Sequence, residues 1–267
     1  MDALTTKPFL KWAGGKQSLV EAILSRFPAT FHGYYEPFLG GGSVLLACQP
    51  KKARANDLNG WLICTYMAIR DDWKKVAKIL DSLPNTKDDY YSIREASSSE
   101  TNRWKKAAYF VYLNKTCFRG LYRVNRDDEF NVPYGAYDRR YYSPENLAEV
   151  ARAISEVKFD SLDFEVAVSS AVSGDFVYFD PPYHKLGGFS DFNRYTANQF
   201  REAEHERLAS VCRQLDKMGV HWLCSNSDTS FVRQLYAGFV IEELSARRDI
   251  NLKSSKRSVQ ELLIRNY

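Results

Sequence analysis

The strongest constraint on this chain is the run Phe176-Val177-Tyr178-Phe179-Asp180-Pro181-Pro182-Tyr183. Four apolar, aromatic and β-branched residues in succession have the character of a buried strand. Two prolines then end it. Proline lacks an N–H and fixes φ, so the backbone has to leave the sheet at Pro181. The strand therefore delivers a carboxylate, Asp180, and an aromatic plate, Tyr183, at its carboxyl end. In an open α/β sheet that edge is where ligands bind. Acceptors beside an aromatic plate suit a planar ring that carries an amino group.

The rest of the chain supplies such a sheet. Short strand-like runs end at Glu36, at Asp57 and at Asp160, and others cover 220–225, 239–244 and 258–264. Helical periodicity lies between them at 17–27, 43–48, 143–155, 164–170 and 199–218. Pro144 stands near the start of the helical pattern at 143–155, where proline is favoured. This alternation predicts an α/β fold with a mostly parallel sheet and helices on both faces.

Three loops fall on the same sheet edge or open a helix. In Pro8-Phe9-Leu10-Lys11-Trp12-Ala13-Gly14-Gly15-Lys16, a Gly-Gly-Lys at a helix start offers free N–H groups to an anion. It is not a P-loop, because Gln17 follows the lysine and Leu10 stands at the first glycine position. Without a ligand the same loop is a glycine-bearing helix start with a solvated lysine. In Glu36-Pro37-Phe38-Leu39-Gly40-Gly41-Gly42-Ser43, glycines at a strand-to-helix turn let a ligand approach the backbone. The dinucleotide fingerprint is incomplete there, since Leu45 holds its last glycine position. In Asn56-Asp57-Leu58-Asn59, Asp57 can serve a ribose diol, cap a helix, or do both.

Residues 60–150 have a different character. Helical patterns occupy 61–69, 72–83, 88–96 and 104–114, followed by an irregular stretch over 115–140. Two β-like runs flank Arg126-Asp127-Asp128-Glu129 and predict a hairpin. Nine Lys and Arg lie between Arg103 and Arg140, interleaved with aromatics. Such a segment suits nucleic acid: cations for phosphates, forked guanidinium for guanine edges, apolar tips for wedging between bases. A solvated surface hairpin has the same composition. The segment reads as a helical insertion between 1–59 and 151–267, and a net charge of +4 is compatible with a polyanion.

Some classes are disfavoured. The five cysteines are scattered without a C-x-x-C pair, as buried thiols of a reducing cytosol are, and the four histidines show no metal-ligand spacing. No metal is expected. No apolar run approaches the ~18 residues of a membrane span, and the first residues lack a signal-peptide core. A cytoplasmic protein is expected.

Taken jointly, PFLKWAGGK (8–16), EPFLGGGS (36–43), NDLN (56–59), FRGLYRVN…EFNVPYGAY (118–137), DF (163–164) and VYFDPPY (177–183) resemble the DNA N6-adenine methyltransferases of the class that includes the GATC-methylating, Dam-type enzymes. The resemblance runs almost end to end. It implies a seven-stranded Rossmann-like methyltransferase sheet with an inserted helical DNA-recognition domain at 60–150. It implies S-adenosylmethionine as methyl donor, held by Trp12, Lys16, the turn with Glu36, Phe38, Gly40 and Gly42, and Asp57 on the ribose, with Asp163 and Phe164 at the adenine moiety. Asp180, Pro181 and Tyr183 form the catalytic motif, Asp180 also bordering the cofactor. Lys11, Leu121, Arg123, Pro133 and Tyr137 match positions that read GATC in duplex DNA. Arg119 stands where relatives often carry a small polar wedge, and Ala136 where they often carry a basic residue.

The chemistry implied is methyl transfer to N6 of an adenine flipped out of the duplex, with Tyr183 stacking on the base and Phe189 closing over it. A monomer is expected, with a partner restriction endonuclease compatible. Two other readings use the same motif: an amino-methyltransferase acting on a small molecule or protein, and a DNA-binding module without catalysis. The RGLYRVN hairpin opposes the first, and the intact Asp180, Pro181 and Tyr183 oppose the second.

Overall fold

The computed structural model describes residues 6–125, 127, 129–184, 200–246 and 259–267. Seven strands form one sheet: β1 (Tyr34–Glu36), β2 (Ala53–Asn56), β3 (Lys158–Asp160), β4 (Phe176–Phe179), β5 (His221–Ser227), β6 (Val240–Ala246) and β7 (Val259–Arg265), in the order β3-β2-β1-β4-β5-β7-β6. The first five are parallel. β7 lies antiparallel between β5 and β6. The chain moves outward from β1 through β2 to β3, then returns to start again at β4. The strand order thus reverses between β1 and β4, where open α/β sheets leave a crevice.

Alternation along the strands divides the core into two. Tyr34, Phe176, Tyr178, Leu223 and Leu263 face one cluster. Tyr35, Val177, Phe179, Trp222, Cys224, Leu262 and Ile264 face the other. All four residues of β4 are buried, as expected of a central parallel strand covered on both sides. The first face is covered by α1 (Val20–Leu24), α2 (Ser43–Cys48) and the helices of 60–153; the second by α7 (Phe164–Val168), α8 (Glu202–Lys217) and α9 (Ser230–Leu235).

The helical segment comprises α3 (Gly60–Asp81), α4 (Lys87–Ala96), α5 (Arg103–Thr116) and α6 (Pro144–Ala153). Neighbouring patterns at 61–69 and 72–83 form one element, α3, broken by the non-helical backbone of Asp72 (φ −162°, ψ 80°). α5 is buried almost all round from Ala107 to Asn114, because other helices surround it. α6 begins as its sequence suggests: the Ser143 side chain accepts from Asn146 N–H at 3.1 Å and Pro144 occupies the first turn.

Three expectations need correction, and one element was not expected. The helix expected over 17–27 is only α1. No side chain caps its start, and turns of the tighter 3₁₀ type flank it, such as Leu19 N–H to Lys16 carbonyl at 2.8 Å. Gly14 and Gly15 therefore do not open a helix. Asp57 neither ends β2 nor caps α3; β2 stops at Asn56, and the cap is Asn59, whose side chain accepts from Leu62 N–H. The 118–137 hairpin carries no continuous ladder. It is pinned by two antiparallel bridges, Cys117 with Tyr134 and Val124 with Phe130. Lastly, α9 had no expectation at all. Phe189, and the basic loop 247–257, lie outside the described residues.

Candidate active site

The site grows from the end of β4. Asp180 leaves the sheet there, and its Oδ1 meets two donors: the Lys16 ammonium at 2.8 Å and the Ser225 hydroxyl at 2.7 Å. Lys16 is only 4% exposed and also donates to the Gly14 carbonyl at 2.7 Å. The short turn at 12–15 therefore serves to turn this lysine inward. Ser225 is set by β5, the parallel neighbour of β4, and exchanges a further hydrogen bond with the Tyr178 hydroxyl at 3.1 Å. Both donors engage the same oxygen. Among the described residues no donor reaches Asp180 Oδ2 or the carbonyl of Pro181. Tyr183 follows with its ring 4.6 Å from the Lys16 ammonium and its hydroxyl donating to Glu261 Oε2 at 2.8 Å.

β1 brings a second carboxyl group to the same edge. Glu36 is 2% exposed and accepts from the Tyr34 hydroxyl at 2.6 Å. Burial, reinforced by the charge of Asp180 and opposed by the Tyr34 hydrogen bond, pushes its pKa up to about 8. The glycine turn follows. Its glycines admit aromatic side chains of the protein itself. A Cβ on Gly40 would lie 2.7 Å from the Trp12 ring, and Gly42, at φ +66°, has the Tyr66 hydroxyl 2.7 Å from where a Cβ would sit.

Asp57 spans the turn. Its two oxygens accept from Gly40 N–H at 2.9 Å and Asn59 N–H at 3.0 Å. Burial raises its pKa, against those two hydrogen bonds. Phe38, Phe164 and Phe200 form an aromatic wall, with ring centroids 5.5–6.0 Å apart. Asp163 caps α7 by accepting from Glu165 N–H at 3.0 Å, and pairs with Arg207, whose guanidinium lies 4.3 Å over the Phe164 ring.

The hairpin residues gather in a second group. Lys11 is clamped to α5 through its backbone, its N–H and carbonyl pairing with the Asn114 amide at 2.8 Å each. Its ammonium stands 5.5 Å from the Tyr137 ring, and the Tyr137 hydroxyl accepts from Arg119 N–H at 2.8 Å. Arg119 itself is exposed, in the left-handed region at φ +61°. Arg123 is held across the hairpin by Asn131, through Nε at 2.7 Å and Nη2 at 3.2 Å. Leu121 is half-buried, and Pro133 is exposed with its carbonyl accepting from Phe118 N–H at 2.8 Å. The loop 8–16 joins the two groups: Trp12 stacks on Tyr122 of the hairpin (5.4 Å, 24°) and on Phe110 (6.4 Å, 23°).

Residues 12–250 match the family of D12 class N6 adenine-specific DNA methyltransferases. The chain belongs to this family. Across 99% of its length, this methyltransferase is 38% identical to the whole of the type II methyltransferase M.MjaIII of Methanocaldococcus jannaschii. It is 36% identical over 99% of its length to 96% of the type II methyltransferase M1.LlaDCHI of Lactococcus lactis subsp. cremoris. Over 97% of its length it is 33% identical to 93% of the DNA adenine methylase of Haemophilus influenzae. It is an enzyme that methylates adenine in DNA, as the end-to-end resemblance implied.

The structure adds residues to the candidate site that the motifs did not mark. Ser225, Glu261, Arg207 and Asn114 each touch a motif residue. For Ser225, Glu261 and Asn114 the sequence signal is a polar or charged residue beside an apolar run; Arg207, in the charged first turns of α8, carries none. Among the described residues no group of three or more His, Cys, Asp and Glu is placed to hold a metal, and no helix is long and apolar enough to cross a membrane.

Proposed function

We propose that this methyltransferase transfers the methyl group of S-adenosylmethionine to N6 of an adenine flipped out of GATC in duplex DNA. The observation that carries the reading is the one-sided occupation of Asp180. With Lys16 and Ser225 both on Oδ1, Oδ2 and the Pro181 carbonyl, which no donor reaches among the described residues, form a pair of acceptors suited to the two hydrogens of an exocyclic amino group. Accepting from that group counters delocalisation of its lone pair into the ring and aims the nitrogen. Tyr183 offers the stacking plate for the flipped base.

The residues present fit the methyl donor. Glu36, Asp57 and Asp180, at or just past the ends of three adjacent strands, are carboxyl groups suited to an ammonium, a ribose diol and a sulfonium. The rings of Phe38 and Phe164 suit an adenine, with Asp163 beside them. Trp12 and the glycine turn at Gly40 and Gly42 border the same space, and Lys16 holds the catalytic carboxylate. When bound, S-adenosylmethionine supplies an electrophilic methyl carbon, the C–S pair returning to sulfur as the N–C bond forms. The proton lost from N6 passes to the acceptor at Asp180 or to water.

Target reading falls to residues 60–150, with 1–59 and 151–267 as the cofactor-binding body; all seven strands come from the latter. Lys11, Leu121, Arg123, Pro133 and Tyr137 read the site, with Arg119 at its edge. Arg123 Nη1 has no partner among the described residues and is available to a guanine edge. The alternative is the same chemistry at another adenine-containing site in a restriction–modification system with a partner endonuclease, a setting supported by the type II relatives.

The test is methylation of duplex oligonucleotides carrying GATC or single-base-pair variants. Each substitution should lower kcat/KM at least about tenfold, as loss of a good base contact does. Equal rates on GATC and GTTC-flanked or GANTC sites would exclude the GATC reading. Asp180→Ala should lower kcat by about a hundred- to a thousandfold while sparing DNA affinity.

A further inference from the structure

Glu261 is out of character with its strand. β7 reads Val259-Gln260-Glu261-Leu262-Leu263-Ile264-Arg265, and Glu261 is 7% exposed next to three buried aliphatics. A carboxyl group is rarely held that far from water without a partner. One partner is the Tyr183 hydroxyl, at 2.8 Å. β5 pairs with β7 so that Ser227 lies opposite Glu261, and Ser225, two residues earlier on β5, holds Asp180. Adjacent strands thus reach both ends of the catalytic motif, one through each side chain.

Two torsions decide where the Tyr183 ring lies: the hydrogen bond at its far tip holds the swing of the ring about Cα–Cβ, and the Lys16 ammonium over one face restrains its plane. The Lys16 ammonium takes one face of the ring, 4.6 Å from its centre, so a base is received on the other. We propose that Glu261 is a positioning residue: through the Tyr183 hydroxyl it fixes the plate against which the flipped adenine stacks. The proposal rests on the base-flipping reading above. Stacking tolerates sliding, but in-line attack does not, and a misplacement of about 1 Å can cost two orders of magnitude in rate.

The experiment is a double-mutant cycle on the full chain: Glu261→Leu, Tyr183→Phe and both together, with Glu261→Gln as the conservative variant. Glu261→Leu should lower kcat roughly tenfold with the KM for S-adenosylmethionine unchanged within about twofold. Tyr183→Phe should lower kcat to the same extent, the double variant no further, and Glu261→Gln, which keeps an acceptor, should restore at least about a third of wild-type kcat. Wild-type kcat in Glu261→Leu, full additivity in the double variant, or failure of Gln to restore activity each overturns the proposal. Should Glu261→Leu not fold, Tyr183→Phe decides alone, and wild-type kcat in it overturns the proposal. A duplex with 2-aminopurine at the target separates the two ideas. No rise in its emission with the wild-type protein overturns base flipping and the proposal with it. A rise, with unchanged Glu261→Leu kinetics, overturns the proposal alone.

Discussion

At neutral pH Glu36 keeps its proton. Burial is the main cause, the Asp180 charge adds to it, and the pKa stands at about 8 against an ordinary 4.5. The folded state therefore holds a proton that the unfolded state gives up. This contribution to stability is complete below about pH 4.5 and is lost as pH rises through about 8. A bound cation reverses the preference, because it favours the carboxylate. Binding of S-adenosylmethionine at pH 7 should therefore release up to about one proton, and affinity should strengthen between pH 6 and pH 8. Calorimetry in two buffers of different ionisation enthalpy checks this. Equal heats would exclude it, and Glu36→Gln should remove the difference. At this scale the motifs were readable because each sits in one short stretch: Lys16, Glu36, Asp180 and Tyr183 are all motif residues, and they converge. Ser225 and Glu261 were not readable. They reach the site only because β5 and β7 lie beside it, and that adjacency is written in no local pattern.

Among the elements, α5 does more than fill the helical segment. Its Asn114, 1% exposed, pairs edge to edge with the backbone of Lys11, as a strand neighbour would. Asn114→Leu keeps the volume and leaves a part-buried N–H and carbonyl without partners. The expected cost is about 1–3 kcal/mol, from the desolvation of those groups, read as a lowered midpoint in urea unfolding. DNA discrimination should weaken along with it, because Lys11 loses its anchor. An unchanged midpoint would mean the clamp carries no stability. Periodicity announced α4, α5 and α6 to within one or two residues, and even the break in α3 was visible as the gap between two patterns. α9 was not visible, since its six residues carry no turn motif like the triple glycine that marked the equally short α2. The hairpin was recognisable by its flanking β-like runs, but its sparse bridging depends on contacts with α4 and α5, such as Tyr90 hydroxyl to Val132 carbonyl at 2.8 Å.

For the whole molecule, one apolar cluster runs from Tyr34 and Phe176 on the sheet to Leu62, Phe110 and Leu147 in the helical segment. The sheet and the helical segment therefore share one core, and separate melting of the helical segment would tear that core open. Unfolding should be a single transition. Four of the five tryptophans, Trp12, Trp61, Trp73 and Trp104, pack on this side of the sheet, and Trp222 lies on the other. Fluorescence of a Trp222→Phe variant and far-UV circular dichroism of the wild type should then give coincident urea profiles, after allowing for any shift in midpoint. Two resolved steps would show that the segment melts alone. The parallel half of the sheet was foreseeable from alternating elements, but the antiparallel pair at its end was not. That pair also sets an order of assembly. β6 comes before β7 in the chain, yet among the described residues β7 is its one sheet neighbour. β6 therefore has no sheet neighbour until β7 is in place, and the topology favours the two strands entering together. On the role proposed above, the side chain that steadies Tyr183 arrives with β7, so a chain that has not yet added its last two strands has the motif without its brace.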